Sequence, residues 1–334
     1  MSAVARTAPL KILFCESGYS ESRRRLAAAA PEFELITTSR DRVQWSLAGV
    51  DVLVPYGARI DRAIIERGSF GLVQQFGVGL ETVDIPAATE AGVWVARVPS
   101  AHTGNAESVA EHAILLMLAL ARKAAELPAS VRRQITGEPA GMALAGKTAC
   151  IIGLGGVGAA LARRLQAFDM RLRGVRAQAI LGAPSGVGMR VYPSGQLHTA
   201  LADADFVIVC STMDASNMNL IDAAALLAMK PKALLINVAR GGLVDTGALE
   251  AALASGHIAG AGLDVIADEP IDPQSPLLAH NVIVTPHIAG VTDLSYDGIA
   301  REVAANLRRY ARGEQPLFVA NAPVAPRALR LSRR

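Results

Sequence analysis

The stretch "CIIGLGGVGAALARRLQAF", residues 150–168, constrains the fold of this chain more than any other. Gly153, Gly155 and Gly158 fall at G-x-G-x-x-G spacing, directly after an apolar strand and at the opening of a helical pattern. In that setting the first glycine allows the tight turn, the second lets backbone approach a pyrophosphate, and the third lets helix pack on strand. The pyrophosphate then sits on free N–H groups at the helix start, near Gly156 and Val157. A turn of this kind belongs to a parallel, doubly wound sheet, which makes the chain α/β.

The rest of the chain repeats the alternation. "LKILFCES", "FELITT", "DVLVPYG", "LVQQFGVG" and "VWVARVP" read as strands separated by helical patterns. A second series starts at Gly146 and runs through "TACIIG", "RLRGV", "ADFVIVC", "ALLINVA", "GAGLDV" and "NVIVTP". At 334 residues the chain is past the size at which one core usually stops growing. The phosphate turn lies mid-chain, so the reading is one domain in two pieces, residues 1–103 plus 290–334. A nucleotide-binding domain, 104–289, is inserted between them. One long helix, largely apolar on most faces, is expected from Ala106 to about Ala129 and would be buried between domains or subunits.

Composition excludes several partners. The net charge of +3 is small and comes partly from the terminal "RALRLSRR", so nothing favours a nucleic acid or a membrane surface. The most apolar helical run, "AILLMLALA", is far short of the ~20 residues that span a bilayer. Cys15, Cys150 and Cys210 each sit in an apolar run and read as buried free thiols, with no disulfide and no metal site. A reducing, cytoplasmic location is expected.

The cofactor can be narrowed further. An acidic residue ~20 positions beyond the glycine turn accepts from a ribose 2′-hydroxyl, whereas an Arg accommodates a 2′-phosphate. Asp169 comes too early, and Val175 is followed by Arg176. A guanidinium binds phosphate through paired, charged hydrogen bonds, so NADP(H) is favoured, with NAD(H) possible if Arg176 only stacks on adenine or points to water.

Three separated residues complete a chemistry. Arg240, in "LLINVARGGLVD", ends an almost continuously apolar strand, at the sheet edge that faces the ligand crevice, and Gly241 and Gly242 beside it leave room for a ligand. It suits bidentate capture of a carboxylate. Glu269, in "LDVIADEP", and His287, in "VIVTPHIAG", each follow a strand of the same series. A His held by a carboxylate donates a proton to a carbonyl oxygen near neutral pH. With a nicotinamide cofactor, the three suit reduction of a 2-keto acid or the reverse oxidation.

The ordered blocks "FGVGLETVDIPAATEAGVWVARVP", "NAESVAEHAILLMLALAR", "GKTACIIGLGGVG", "MKPKALLINVARGGLVD", "GAGLDVIADEP" and "NVIVTPHIAG" resemble the D-isomer-specific 2-hydroxyacid dehydrogenase family. The resemblance implies two doubly wound parallel-sheet domains, a Rossmann nucleotide domain inserted into a flavodoxin-like substrate domain, with the cleft between them. It implies that Arg240, Glu269 and His287 are catalytic, with His287 the proton donor. It implies that Asp264 holds the nicotinamide carboxamide and that backbone at Val238 and Ala239 lines the ring. It further implies that the Val78 and Gly79 N–H groups join Arg240 on the substrate carboxylate, and that the 106–129 helix forms a homodimer. Asn105 is a further candidate for a substrate oxygen, and His102 reads as a surface residue at the domain junction. Thr212 and Asp214 replace the usual proline and threonine of the family. Pro55 stands where phosphoglycerate-specific members carry Arg, with Arg59 four residues on. The expectation is an NADPH-preferring reductase of a small 2-keto acid such as glyoxylate or hydroxypyruvate. The alternatives are an NAD-dependent phosphoglycerate or other D-2-hydroxyacid dehydrogenase, or a dinucleotide-sensing corepressor of the same fold.

Overall fold

A computed structural model describes Pro9–Arg327, apart from the side chain of Ala179; Arg6 and the basic run after Arg327 lie outside the described residues. The chain divides into two compact units, with breaks at Asn105/Ala106 and Thr292/Asp293. In chain order the first unit begins with β1 (Lys11–Phe14), α1 (Ser20–Ala29), β2 (Glu34–Thr37), β3 (Val52–Val54), α2 (Arg62–Arg67), β4 (Leu72–Gln74), α3 (Ile85–Glu90) and β5 (Trp94–Ala96). The second unit takes most of α4 (Asn105–Ala121), then α5 (Leu127–Arg132), β6 (Thr148–Ile152), α6 (Gly156–Gln166), β7 (Arg171–Arg176) and β8 (Met189–Pro193). It continues with α7 (Leu197–Leu201), β9 (Phe206–Val209), α8 (Ala223–Ala228), β10 (Leu234–Asn237), α9 (Thr246–Ala254), β11 (Gly260–Leu263) and β12 (Val282–Val284). The chain then returns to the first unit with α10 (Asp293–Ala311).

Both sheets are parallel throughout. The first has the order β2-β1-β3-β4-β5, the flavodoxin-like arrangement. The second has the order β12-β11-β10-β9-β6-β7-β8, which is the doubly wound dinucleotide order with one added edge strand. Strand alternation divides the buried residues between two faces. In β9, Phe206 and Ile208 join the core on one face, and Val207 and Val209 the core on the other. Each such fully buried side chain contributes about 1.5–3 kcal/mol relative to exposure. Helix starts are fixed locally: the side chains of Asp61, Asp84, Asp222 and Asp245 accept from backbone N–H groups in the first turns of α2, α3, α8 and α9.

Two expectations are corrected here. The helix expected over 106–129 is two helices, because the backbone turns at Lys123 (φ 52°) and Pro128 opens α5. A proline in an uninterrupted helix would lose an N–H and press its ring on the carbonyl four residues back. The sequence reading also passed over β8, which widens the second sheet beyond β7, and the helix α7 that follows it. The three cysteines are free; Cys15 and Cys150 are fully buried, and desolvation pushes all three thiols up to about 12. Among the described residues no helix is long and apolar enough to cross a membrane. Nor does any group of three or more His, Cys, Asp or Glu form a metal site there.

Candidate active site

The glycine turn lies where the strand order of the second sheet reverses, between β6 and β9, the position at which such sheets bind ligands. Gly153 has φ 93°, and a Cβ there would sit 2.6 Å from the backbone of Ser211 at the end of β9. A Cβ on Gly158 would lie 1.9 Å from the Gly153 carbonyl, so the third glycine is demanded by helix–strand contact. Gly155 differs: a Cβ there meets no protein atom within 4 Å. It is also the N-cap of α6 and offers no side-chain cap. The N–H groups of Gly156, Val157 and Gly158 therefore open onto the space beside Gly155, a cradle suited to a pyrophosphate. The residues present fit a dinucleotide.

Arg176 is the last residue of β7, and its Nη1 donates to the Gly182 carbonyl at 3.1 Å. That uses one of five guanidinium donors. Asp169 lies in the turn before β7 with φ 55°, at the opposite end of the strand from the ribose position. The loop after β9 is stiffened by its own side chains. The Asp214 carboxylate accepts from the Ser216 N–H at 2.7 Å, and Asn217 Nδ2 donates to the Thr212 carbonyl at 2.8 Å.

Arg240 follows β10 at the same sheet edge. Asn237, 1% exposed, shapes this turn: its Nδ2 donates to the Arg240 carbonyl at 2.9 Å and its Oδ1 accepts from the Ala239 N–H at 3.1 Å. Val238 N–H is also committed, to the Val209 carbonyl at 3.3 Å, and Arg240 Nη1 donates to the Ala239 carbonyl at 2.7 Å. Gly241, expected to leave room for a ligand, faces backbone instead. A Cβ on Gly241 would sit 1.9 Å from the Ile266 backbone, and one on Gly242 would sit 2.9 Å from Met213 Sδ. Gly241 lets the Arg240 turn pack against the loop that carries Glu269, and Gly242 faces Met213 of the loop after β9.

Glu269 Oε2 and His287 Nδ1 are 2.9 Å apart, and Glu269 Oε1 accepts from the Ile266 N–H at 3.3 Å. A carboxylate only accepts, so His287 carries hydrogen on Nδ1 and keeps Nε2 on the side of the ring away from Glu269. Burial pushes the Glu269 carboxyl up, but the His287 hydrogen bond and charge, the Ile266 N–H and the Arg240 guanidinium outweigh it, and it is held below the usual value. The ring belongs to a residue with φ 54°, in a turn tied to Asp264. Asp264 is 2% exposed, and its carboxylate accepts from Thr285 Oγ1 at 2.6 Å and from the N–H groups of Ile288 and Ala289 at 2.8 and 2.9 Å.

Arg240, Glu269, His287, Asp264 and the glycine turn thus belong to one unit. Val78, Gly79 and Asn105 belong to the other. There Gln75 Nε2 donates to the carbonyls of Gly79 and Tyr56, fixing the loop after β4. Asn105 Nδ2 donates to Ser295 Oγ at 3.1 Å, which uses one of its two amide hydrogens. His102 is exposed, with φ 67°. Sequence reasoning missed Asn237, His112 and Thr285. The one available signal was polarity: Asn237 interrupts an apolar run, Thr285 ends one and His112 precedes one.

Residues 114–289 match the model of the D-isomer specific 2-hydroxyacid dehydrogenase NAD binding domain. The chain is 35% identical over 296 residues to a glyoxylate reductase of Pyrococcus furiosus, covering 85% of this chain and 86% of the relative. It is 34% identical over 295 residues to a D-3-phosphoglycerate dehydrogenase of Mycobacterium leprae, covering 87% of this chain but 52% of that protein. Its fold is similar to the crystal structure of an NADPH-dependent glyoxylate/hydroxypyruvate reductase from Sinorhizobium meliloti in complex with NADP and malonate. The TM-score is 0.81 at 29% identity, with 96% of this chain and 100% of that chain covered.

Fold, glycine cradle and sheet-edge residues together define a nicotinamide-dependent oxidoreductase. The chain belongs to the D-isomer specific 2-hydroxyacid dehydrogenase family and transfers hydride between a nicotinamide cofactor and a 2-keto or 2-hydroxy acid.

Proposed function

We propose that the chain reduces small, unphosphorylated 2-keto acids of the glyoxylate and hydroxypyruvate kind, with NADPH favoured over NADH. The observation that carries this reading is the 2.9 Å Glu269–His287 pair beside Arg240 on the edge that also bears the glycine cradle. A bound nicotinamide supplies hydride to the carbonyl carbon. Arg240 holds the substrate carboxylate and polarises the carbonyl, assisted by the N–H groups of Val78 and Gly79. His287 Nε2 gives its proton to the carbonyl oxygen, and Glu269 stabilises the ring through Nδ1. Backbone at Val238 and Ala239 lines the nicotinamide. Asn105 gives one amide hydrogen to Ser295 Oγ, and its second N–H is the group this reading assigns to a substrate oxygen.

Several features support the finer assignments. Arg176 ends β7 with four guanidinium donors beyond the one given to Gly182, which favours a 2′-phosphate. Pro55 is buried, and Arg59 is 84% exposed with its nearest carboxylate, Asp61, 3.9 Å away, which favours an unphosphorylated acid. Exposed Leu115, Leu127 and Val131 on α4 and α5 support a homodimer through these helices. The free, buried thiols support a reducing, cytoplasmic setting.

Cofactor oxidation followed by absorbance over a panel of keto acids tests the reading. Arg240→Ala and His287→Ala are each expected to lose about a hundredfold or more in kcat/KM. Turnover that persists in His287→Ala at neutral pH refutes the proton donor, and no oxidation with any keto acid refutes the activity. Arg176→Asp is expected to reverse the cofactor preference; a wild-type preference for NADH refutes the 2′-phosphate assignment.

A further inference from the structure

The carboxylate of Asp264 is buried and surrounded by donors of its own chain. Thr285 Oγ1 reaches Oδ1 at 2.6 Å, Ile288 N–H reaches the same oxygen at 2.8 Å, and Ala289 N–H reaches Oδ2 at 2.9 Å. The Asp264 carbonyl accepts from the His287 N–H at 3.0 Å. Three successive N–H groups thus converge on one residue: those of 288 and 289 form a nest around its carboxylate, and that of 287 holds its backbone carbonyl. That nest fixes the left-handed backbone of His287, whose φ of 54° is unfavourable for a residue with a side chain.

A further residue stands behind the nest. His112 Nε2 lies 2.9 Å from Thr285 Oγ1 and 3.5 Å from Asp264 Oδ1. Carboxylate oxygens only accept, so the single Thr285 hydroxyl hydrogen points to Asp264. Thr285 Oγ1 is then the acceptor for His112, which must carry hydrogen on Nε2. His112 is held by α4, where Leu116, one turn on, packs over Gly262 of β11, two residues before Asp264. A chain of donors therefore runs from α4 through Thr285 to the anchor of the His287 turn.

We propose that His112, Thr285 and Asp264 form a positioning network that sets the place of the His287 imidazole against its substrate, rather than serving the cofactor alone. This rests on His287 being the proton donor. Thr285→Val keeps the side-chain shape and removes the hydroxyl. In the cofactor-saturated full chain it should lower kcat about tenfold with keto-acid KM within about twofold, since misplacing a catalytic group acts on the transition state. His112→Leu should act in the same direction, and the double variant should lose little more than either single, as expected for coupled partners. Thr285→Ser should restore kcat to within about twofold.

In the cofactor-free protein, the His287 ring resonance, assigned by its loss in His287→Ala, should move in Thr285→Val while those of His198, His257 and His280 stay. The proposal is overturned if both single variants keep wild-type kcat. It is also overturned if cofactor Kd rises about tenfold while saturated kcat is unchanged, or if all ring resonances shift together and Thr285→Ser fails to rescue. If His287→Ala itself retains turnover, the proton-donor reading fails separately. The resonance of the cofactor-free protein still reports whether the network positions the ring.

Discussion

Glu269 is a residue at which opposing effects meet. Burial disfavours its charge, and His287, the Ile266 N–H and Arg240 restore it, with the net displacement downward from 4.5. A carboxyl depressed in the folded state stabilises the protein above its unfolded pKa and loses that contribution as pH falls through the folded value. The stability gap between wild type and Glu269→Gln should therefore be full near neutral pH. It should narrow only as pH drops below 4.5, measured by denaturant unfolding across an acid series. A gap that is constant with pH would mean that charge is not what Glu269 contributes. The pairing itself was legible in the sequence, since both residues follow strands whose carboxyl ends share an edge. The part played by Gly241 was not. Its requirement arises from the Ile266 backbone 25 positions away, which no local spacing encodes.

The glycine turn and α6 work as one element in which each glycine answers a different neighbour. Gly158→Ala forces a methyl into the Gly153 carbonyl and should cost about 1–3 kcal/mol or more of stability, because helix and strand must separate. Gly155→Ala meets no protein atom, so the melting temperature should stay near wild type while cofactor Kd rises, read by nicotinamide fluorescence titration. Equal losses of stability in the two variants would contradict this division of roles. Strands of the second sheet were legible because two-sided burial makes them continuous apolar runs, as in "FVIVC" and "LLINV". Edge strand β8 was not, for it carries Arg190 between Met189 and Val191, and its burial is only partial. The break between α4 and α5 was signalled by Pro128, but the apolar composition masked it.

At the scale of the whole molecule, α4 and α5 expose Leu115 at 56% and Val131 at 75%, an apolar surface that a homodimer would cover. Leu115→Glu combined with Val131→Glu should halve the mass seen by analytical ultracentrifugation without lowering the stability of the subunit. Exposed substitutions of this kind usually change stability by less than about 0.5 kcal/mol. A wild-type monomer, or a double variant that remains dimeric, would discard these helices as the interface. The sequence alone determined the α/β class, the glycine cradle and the three catalytic candidates, because periodicity, glycine spacing and strand-end placement are local properties. Tertiary structure decided what those residues touch. It gave one Asn105 amide hydrogen to Ser295, filled the space beside Gly241 with backbone, and surrounded the Asp264 carboxylate with donors from the His287 turn. Within each unit these outcomes depend on segments far apart in the chain meeting, where each hydrogen-bond donor or acceptor is claimed by whichever partner packing brings within reach.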